Sequence, residues 1–306
     1  MMRIRIAIVL TLALGLLATT SRAARGDEKA RAEELLAQAR AALGGDAKLK
    51  AVQSLSISGQ MRQVVGGDGD DQEQVQGEIQ FDFLLPDKYL RTETTSVGDG
   101  LTEITRIAGI NGEQAFLDAR SSNSGGGMVI IRPGPSDPKS LAAQSRALRQ
   151  EFARQLLSWL LVTPATLPLE YSYAGDAEVK DAKADAIDVK GPGDFAARLF
   201  LDKQTHRPLL LSYRGPQPRM MMRRQISDNP EHAEKQRKEI EAQASKPADQ
   251  PPPLADIEVY FAEYRAEDGI LLPHRITRSV NGQFHEEWQL SKFKINPPLK
   301  ADKFKK

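Results

Sequence analysis

Apolar and polar side chains alternate along much of this chain, most clearly between residues 184 and 218. There Phe195, Ala197, Leu199 and Leu201 alternate with Asp194, Arg198 and Asp202. A period of two places the two sets on opposite faces of a β-strand. Turn residues bound the run, Gly191-Pro192-Gly193-Asp194 before it and Lys203-Gln204-Thr205-His206 after it. Extended segments continue on the far sides, at Ile187-Asp188-Val189 and at residues 208–213. Strands joined by turns this short pair antiparallel. Phe200 falls on the polar side, which predicts that part of the outer face is covered or meets a ligand.

The same grammar recurs. Leu55, Ile57, Gly59 and Met61 alternate with small polar residues, and Val75, Gly77, Ile79, Phe81 and Phe83 alternate with Gln, Glu and Asp. Residues 66–71, GGDGDD, form the turn between them, and Pro86-Asp87 leads into a strand over 88–95. Ile104, Ile107 and Ile110 precede Asn111-Gly112, a hairpin signal because both residues tolerate positive φ. Short strands are predicted at 128–131, 169–173 and 177–180. Three more close the chain, over 257–264, 270–280 and 284–293, with Asn281-Gly282 as a second hairpin tip. The expected fold is mainly β with helices (α+β), a meandering antiparallel sheet of about ten strands.

Two helices interrupt it. Over residues 27–43 the apolar positions Ala30, Leu35, Leu36, Ala39, Ala42 and Leu43 recur near helical spacing, with Asp27 as N-cap and Gly44-Gly45 as the stop. A second helix begins at Asp137-Pro138 and carries the stripe Leu141, Leu148, Phe152, Leu156 and Leu160. Its last turns are apolar on nearly every side: Leu156, Leu157, Trp159, Leu160, Leu161 and Val162. Two readings follow, a helix end buried between sheet and loops, or a lid over an apolar cavity. Residues 215–255 form a charged, Pro-rich insertion, partly helical or disordered. Its Met220, Met221 and Met222 read either as a soft contact for an apolar partner or as a strand end. The lysines of the tail, from Lys294 to Lys306, read as a soluble terminus or as a surface that contacts anionic lipid.

Residues 1–23 have the plan of a cleaved secretory signal peptide: Arg3 and Arg5, an apolar run over 6–18, then Ser21-Arg22-Ala23. The apolar run is shorter than the ~20 residues a membrane span requires. Residues 28–302 then form one domain, monomeric and exported to the periplasm. Three of the 42 basic residues lie in the leader, which leaves 39 against 41 acidic ones. A chain this close to neutrality has no footprint for nucleic acid. It has no Cys, which excludes disulfides, thiolate nucleophiles and an anchor through lipidated Cys.

Chemistry is sparse. Only four histidines exist, His206, His232, His274 and His285, and none belongs to an HExxH pair. In the strand-borne run His285-Glu286-Glu287, Glu286 faces away from both neighbours, so the run is neither a metal site nor an acid/base pair. No nucleophile elbow or phosphate loop is present, and GGDGDD lacks the closing Glu of a calcium loop. No cofactor, metal or catalytic residue is expected. What remains is a curled sheet whose apolar face, roofed by helices, would hold an acyl chain at about 0.8 kcal/mol per buried CH₂.

Longer segments carry a resemblance. FLLPDKYLR over 83–91, AARLFLDKQTHRPL over 196–209 and DGILLP over 268–273 are strand–turn–strand signatures. With the first helix ending at Leu43-Gly44-Gly45, they resemble the LolA/LolB superfamily of outer-membrane lipoprotein-sorting proteins, which includes the lipid-sensing domains of RseB-type regulators. The resemblance covers residues 29–298 apart from the insertion. It implies an unclosed antiparallel half-barrel whose concave face is lidded by helices, and a non-enzymatic periplasmic carrier for lipoprotein acyl chains or other lipid. The cavity wall is then expected from Ile57, Ile79, Phe81, Phe83, Leu199, Leu201, Leu211 and Phe261, and the lid from Phe152, Leu156, Trp159 and Leu160. The alternative is a lipid-sensing or scaffold protein that meets a membrane or periplasmic protein through the 215–255 insertion.

Overall fold

The computed structural model describes residues 26–65, 73–97, 102–123, 138–164, 166–218 and 253–305. Helix α1 (26–42) and the short α2 (Asp46–Lys50) come first. Five strands follow: β1 (Ser54–Val65), β2 (Glu73–Leu84), β3 (Lys88–Val97), β4 (Thr102–Asn111) and β5 (Gln114–Asn123). Helix α3 (Pro138–Leu160) separates them from β6 (Glu170–Val179), β7 (Ala182–Gly191), β8 (Phe195–Asp202) and β9 (Pro208–Pro216). The chain ends with β10 (Leu254–Glu267), β11 (Ile270–Val280), β12 (Gln283–Ile295) and a 3-10 turn (Ala301–Phe304).

All twelve strands lie in one antiparallel sheet, in the order β5-β4-β3-β2-β1-β12-β11-β10-β9-β8-β7-β6. Within β1–β5 and within β6–β12 each strand pairs with its neighbour in sequence, and at the centre β1 pairs with β12 and welds the two meanders into one surface. The edges β5 and β6 do not pair, so the sheet is not a closed barrel. It is nevertheless strongly curled. Phe152 of α3 packs against Tyr89 of β3 at 5.7 Å between ring centroids, while the Arg154 guanidinium lies 3.9 Å from the Tyr213 ring of β9. β3 and β9 are six strand spacings apart, roughly 29 Å on a flat sheet at about 4.8 Å each. A helix with its side chains is only about 10–12 Å across. The sheet must therefore wrap around α3.

The central weld depends on a close approach. A side chain on Gly59 would collide with the Gln289 carbonyl oxygen and come within 2.7 Å of Leu290 Cα, at the point where the β1–β12 register shifts. Gly59→Ala is expected to cost about 1–3 kcal/mol as an overpacking change, measured by chemical denaturation. An unchanged midpoint would mean that the two meanders do not need this contact. Gly44 ends α1 at φ +128°, with its Cα face against Gly269, and Leu271 N–H donates to the Leu43 carbonyl at 2.8 Å, tying the helix to β11.

The expected antiparallel meander of about ten strands is present, with twelve strands among the described residues. Several expectations need correction. The segments 169–173 and 177–180 are one strand, β6, bent by a bulge at Gly175 with φ +110°. The turn between β4 and β5 is Gly112-Glu113, because Asn111 pairs with Gln114 within the ladder. Asn281-Gly282 does form its tip, with both residues at positive φ. In α1 the buried stripe runs through Ala32, Leu35, Leu36, Ala39 and Leu43, while Ala30 is exposed and Asp27 lies inside the helix. Leu141 of α3 is exposed as well. The lysine-rich tail is not a plain soluble terminus, since Phe304 is fully buried and Lys303 donates to the buried carboxylate of Asp82 at 2.7 Å. The strand expected at 128–131, the turn at 66–71 and the cap Asp137 lie outside the described residues, as does the leader.

Phe200 explains the break in its strand. On the outer face it packs with Val179, Ala184, Leu210 and Tyr260 in a small satellite cluster.

Candidate functional site

The inner face of the sheet carries the residues that periodicity assigns to it. Ile57, Ile79, Phe81, Phe83, Leu199, Leu201, Leu211 and Phe261 are buried and belong to one core cluster, together with Phe152, Leu156, Trp159 and Leu160 of α3. Alternation explains the first group, since every second side chain of each strand points into the curl. The second group follows from a helix end so apolar that any orientation buries it: residues 152 to 160 are all buried. Wall and roof meet directly. Trp159 stands edge-on to Phe81 at 5.1 Å and to Phe83 at 5.5 Å, and Phe152 stacks on Phe83 at 6.1 Å. The helix end therefore fills the hollow of the sheet rather than roofing an empty one.

The filling is incomplete at one point. A cavity of ≈ 20 Å³, about the room of one water molecule, remains between α3 and strands β9 to β12. Among its lining residues are Glu151, Arg154, Gln155, Tyr213, Arg278 and Trp288. Charged groups thus lie along the seam between helix and sheet. Glu286 of β12 is the hub. One carboxylate oxygen accepts from Arg278 Nη1 at 3.0 Å, and the other accepts from Arg91 Nη2 at 3.3 Å and from Trp288 Nε1 at 3.0 Å. Arg91 also pairs with Glu93 on its own strand, and Arg278 Nη2 donates to the Tyr213 hydroxyl at 2.6 Å. From the helix side, Glu151 approaches both guanidiniums, 3.7 Å from Arg91 and 3.7 Å from Arg278.

Burial alone would push the Glu286 carboxyl up, but the Arg91 and Arg278 guanidiniums overcome it and hold the group well below the usual carboxylate range. Arg278 is correspondingly held above its ordinary value against the cost of burial. Arg154 has the opposite balance. It forms no salt bridge among the described residues, rests on the Tyr213 and Phe195 rings, and is pushed down by burial. Several polar atoms of the seam have no hydrogen-bond partner among the described residues: Arg91 Nε, Arg154 Nε, Arg278 Nε and Gln155 Oε1. Buried polar groups are ordinarily satisfied, so this seam is the least complete part of the interior.

Sequence reasoning assigned no site role to Arg91, Glu93, Glu151, Arg154 and Arg278, and weighed Glu286 only as a metal ligand or acid/base residue before setting it aside. A signal was available. Arg91 shares parity with Tyr89, Arg278 with Ile276, and Glu286 with Trp288, so three charges sit on the apolar faces of their strands. Glu286 does face away from His285 and Glu287, but toward the two arginines rather than toward solvent.

A second concavity lies elsewhere, an open groove of ≈ 640 Å³ that includes Lys180, Asp181, Leu209, Tyr260, Arg275, Thr277 and Glu287 in its lining. Its rim is charged and open to solvent, which suits an acyl chain less than the inner hollow. No group of three or more His, Asp or Glu able to hold a metal occurs among the described residues. Within the same residues no helix is long and apolar enough to cross a membrane. Met220, Met221 and Met222 lie outside the described residues; the insertion that carries them leaves and returns at a closed strand pair, Pro216 opposite Leu254.

These features define a mainly β protein with one curled, unclosed antiparallel sheet closed over by a helix. No family model matches the chain, and no curated protein matches it. Among solved structures, the chain is similar to one described as an outer membrane lipoprotein-sorting protein domain from Vibrio parahaemolyticus. The identity is 10%, with 89% of this chain and 97% of that one covered, at a TM-score of 0.43. It is similar to a LolA superfamily protein from Nitrosomonas europaea at 9% identity, with coverage of 90% and 97% and a TM-score of 0.41. A DUF1329 family protein from Desulfovibrio piger stands at 10% identity, with coverage of 90% and 97% and a TM-score of 0.42. Likeness this loose does not assign a function, which has to come from the chain's own geometry.

Proposed function

We propose that this protein is a non-enzymatic binder and carrier of acyl chains, borne by lipid or lipoprotein, and that α3 occupies the binding hollow until a ligand displaces it. The observation that carries this reading is the seam. The hollow beneath α3 is lined by Phe81, Phe83, Leu199 and Leu211, which would suit methylenes. The helix that fills it is held partly by charges whose hydrogen bonding is incomplete. A buried ion pair stabilises less than apolar packing of the same volume, often by 1–4 kcal/mol. Part of what holds α3 in the hollow is therefore a joint weaker than apolar packing would make it. An interior built for stability alone would place apolar contacts there. Acyl binding is also what the motif resemblance implies, and the signal-peptide plan of residues 1–23 supports a periplasmic place for it.

The chain has two tryptophans, Trp159 on the helix and Trp288 on the wall, and both are buried in the joint, each beside Phe81. Titration with a triacylated lipopeptide is expected to shift tryptophan emission to the red and to raise amide exchange over residues 152–160. Emission and exchange that stay fixed at saturating lipopeptide would leave α3 as ordinary core and end the carrier reading.

A further inference from the structure

We propose that the ligand of this hollow is an amphiphile with an anionic oxygen headgroup, a carboxylate or a phosphate monoester, and that Glu151 holds the headgroup's place in the ligand-free protein. This rests on the acyl-binding reading above and names the chemistry of its ligand. The argument begins with the arginine pair. Arg91 and Arg278 stand on strands β3 and β11 and are bridged by Glu286, so they are fixed by the sheet whether or not α3 is in place. Each brings one terminal nitrogen toward the helix, Nη1 of Arg91 and Nη2 of Arg278. There each meets one oxygen of the Glu151 carboxylate at 3.7 Å, close enough for charge pairing but too long for a hydrogen bond. The Nε–H of both guanidiniums has no partner among the described residues. A guanidinium offers five donors in a rigid fork matched to carboxylate and phosphate. The seat is thus built for an anion, and its present occupant uses it poorly.

The rest of α3 completes the likeness. Phe152 follows Glu151 directly and Trp159 lies two turns further on, both packed against the aromatic wall of β2. From Glu151 to Leu160 the helix descends about 13 Å at 1.5 Å per residue. A carboxylate at the rim followed by apolar groups along the hollow is the layout of a fatty acid. Lifting α3 removes both together. It leaves Arg278 sharing Glu286 with Arg91 and donating to Tyr213, and Arg91 still paired with Glu93, with the Glu151 charge gone. A neutral ligand would fill the hollow and leave these donors unmatched. An anionic one fills the hollow and matches them with shorter, charge-assisted bonds.

The test is calorimetric titration of the full chain with dodecanoate, dodecyl phosphate and dodecanol, which share a tail and differ in the head. Wild type is expected to bind the anions at least about tenfold tighter than the alcohol, the equivalent of one charge-assisted hydrogen bond. Whichever anion binds tighter separates a carboxylate source from a phosphate source. Glu151→Gln is expected to tighten both anions more than it tightens dodecanol, because loosening the helix helps all three ligands but vacating the seat helps only the charged ones. Arg278→Gln should bring the three affinities together; if that variant does not fold, the Glu151→Gln comparison decides alone. Dodecanol binding as tightly as the anions, in wild type and in Glu151→Gln, overturns the headgroup site and leaves acyl binding standing. If none of the three binds, the acyl reading falls and takes this one with it.

Discussion

Glu286→Gln is expected to lower the stability of the folded chain by about 3–5 kcal/mol, the cost of breaking a buried ion pair from one side. Glu286 is 3% exposed and neutralises two guanidiniums that are themselves largely buried. The amide retains the size of the carboxyl but not its charge, so Arg91 and Arg278 would face each other with only Glu151 and Glu93 nearby. The pH dependence has a definite sign. The carboxyl is held below its unfolded value of about 4.3, so its contribution is complete above that pH and is lost as pH falls toward the folded value. Wild-type stability should therefore drop on acidification below about pH 4.3, and Glu286→Gln should remove this part of the slope. Denaturation midpoints measured from pH 7 to 3 check both points. A variant of wild-type stability, or one with an unchanged acid slope, would show that the hub does not stabilise the arginine pair within the sheet.

Trp159→Ala should have two effects at once. Truncating a buried tryptophan costs about 3–5 kcal/mol, and Trp159 touches both Phe81 and Phe83. If α3 competes with ligand for the hollow, the same change must also raise acyl affinity, because apparent affinity scales with the fraction of molecules in the competent state. Phe304→Ala supplies the control. Phe304 is as deeply buried, in the C-terminal 3-10 turn beside β3 and β4, and is not part of the inner cluster. It should lose comparable stability and gain no affinity. Emission from Trp288 and a fluorescent acyl probe read the two quantities separately. Equal affinity in all three proteins would mean that nothing in the hollow is displaced.

Where the local pattern was strong, it was also sufficient. Phe81, Leu199 and their neighbours could be placed on the inner face from their period alone, because in a strand the backbone sends every second side chain to the same side. The Asn281-Gly282 tip was equally plain, since few residues other than these accept positive φ at both positions. The Asn111-Gly112 turn shifted by one residue because strand register, a property of two chains, overrode the preference of one dipeptide. Ala30 and Leu141 were assigned to apolar stripes that the tertiary contacts do not reach.

By itself, then, the sequence determined an antiparallel meander, the two long helices and the apolar identity of the inner face, all of which depend on neighbours within a few residues. Only the tertiary structure decided that β1 pairs with β12, that the hollow is filled by α3, and that Arg91, Glu151, Arg278 and Glu286 meet at its rim. Those four residues are spread over 195 positions between Arg91 and Glu286. No local rule relates residues so distant. Their encounter depends on the curl of the sheet and on where one helix comes to rest inside it.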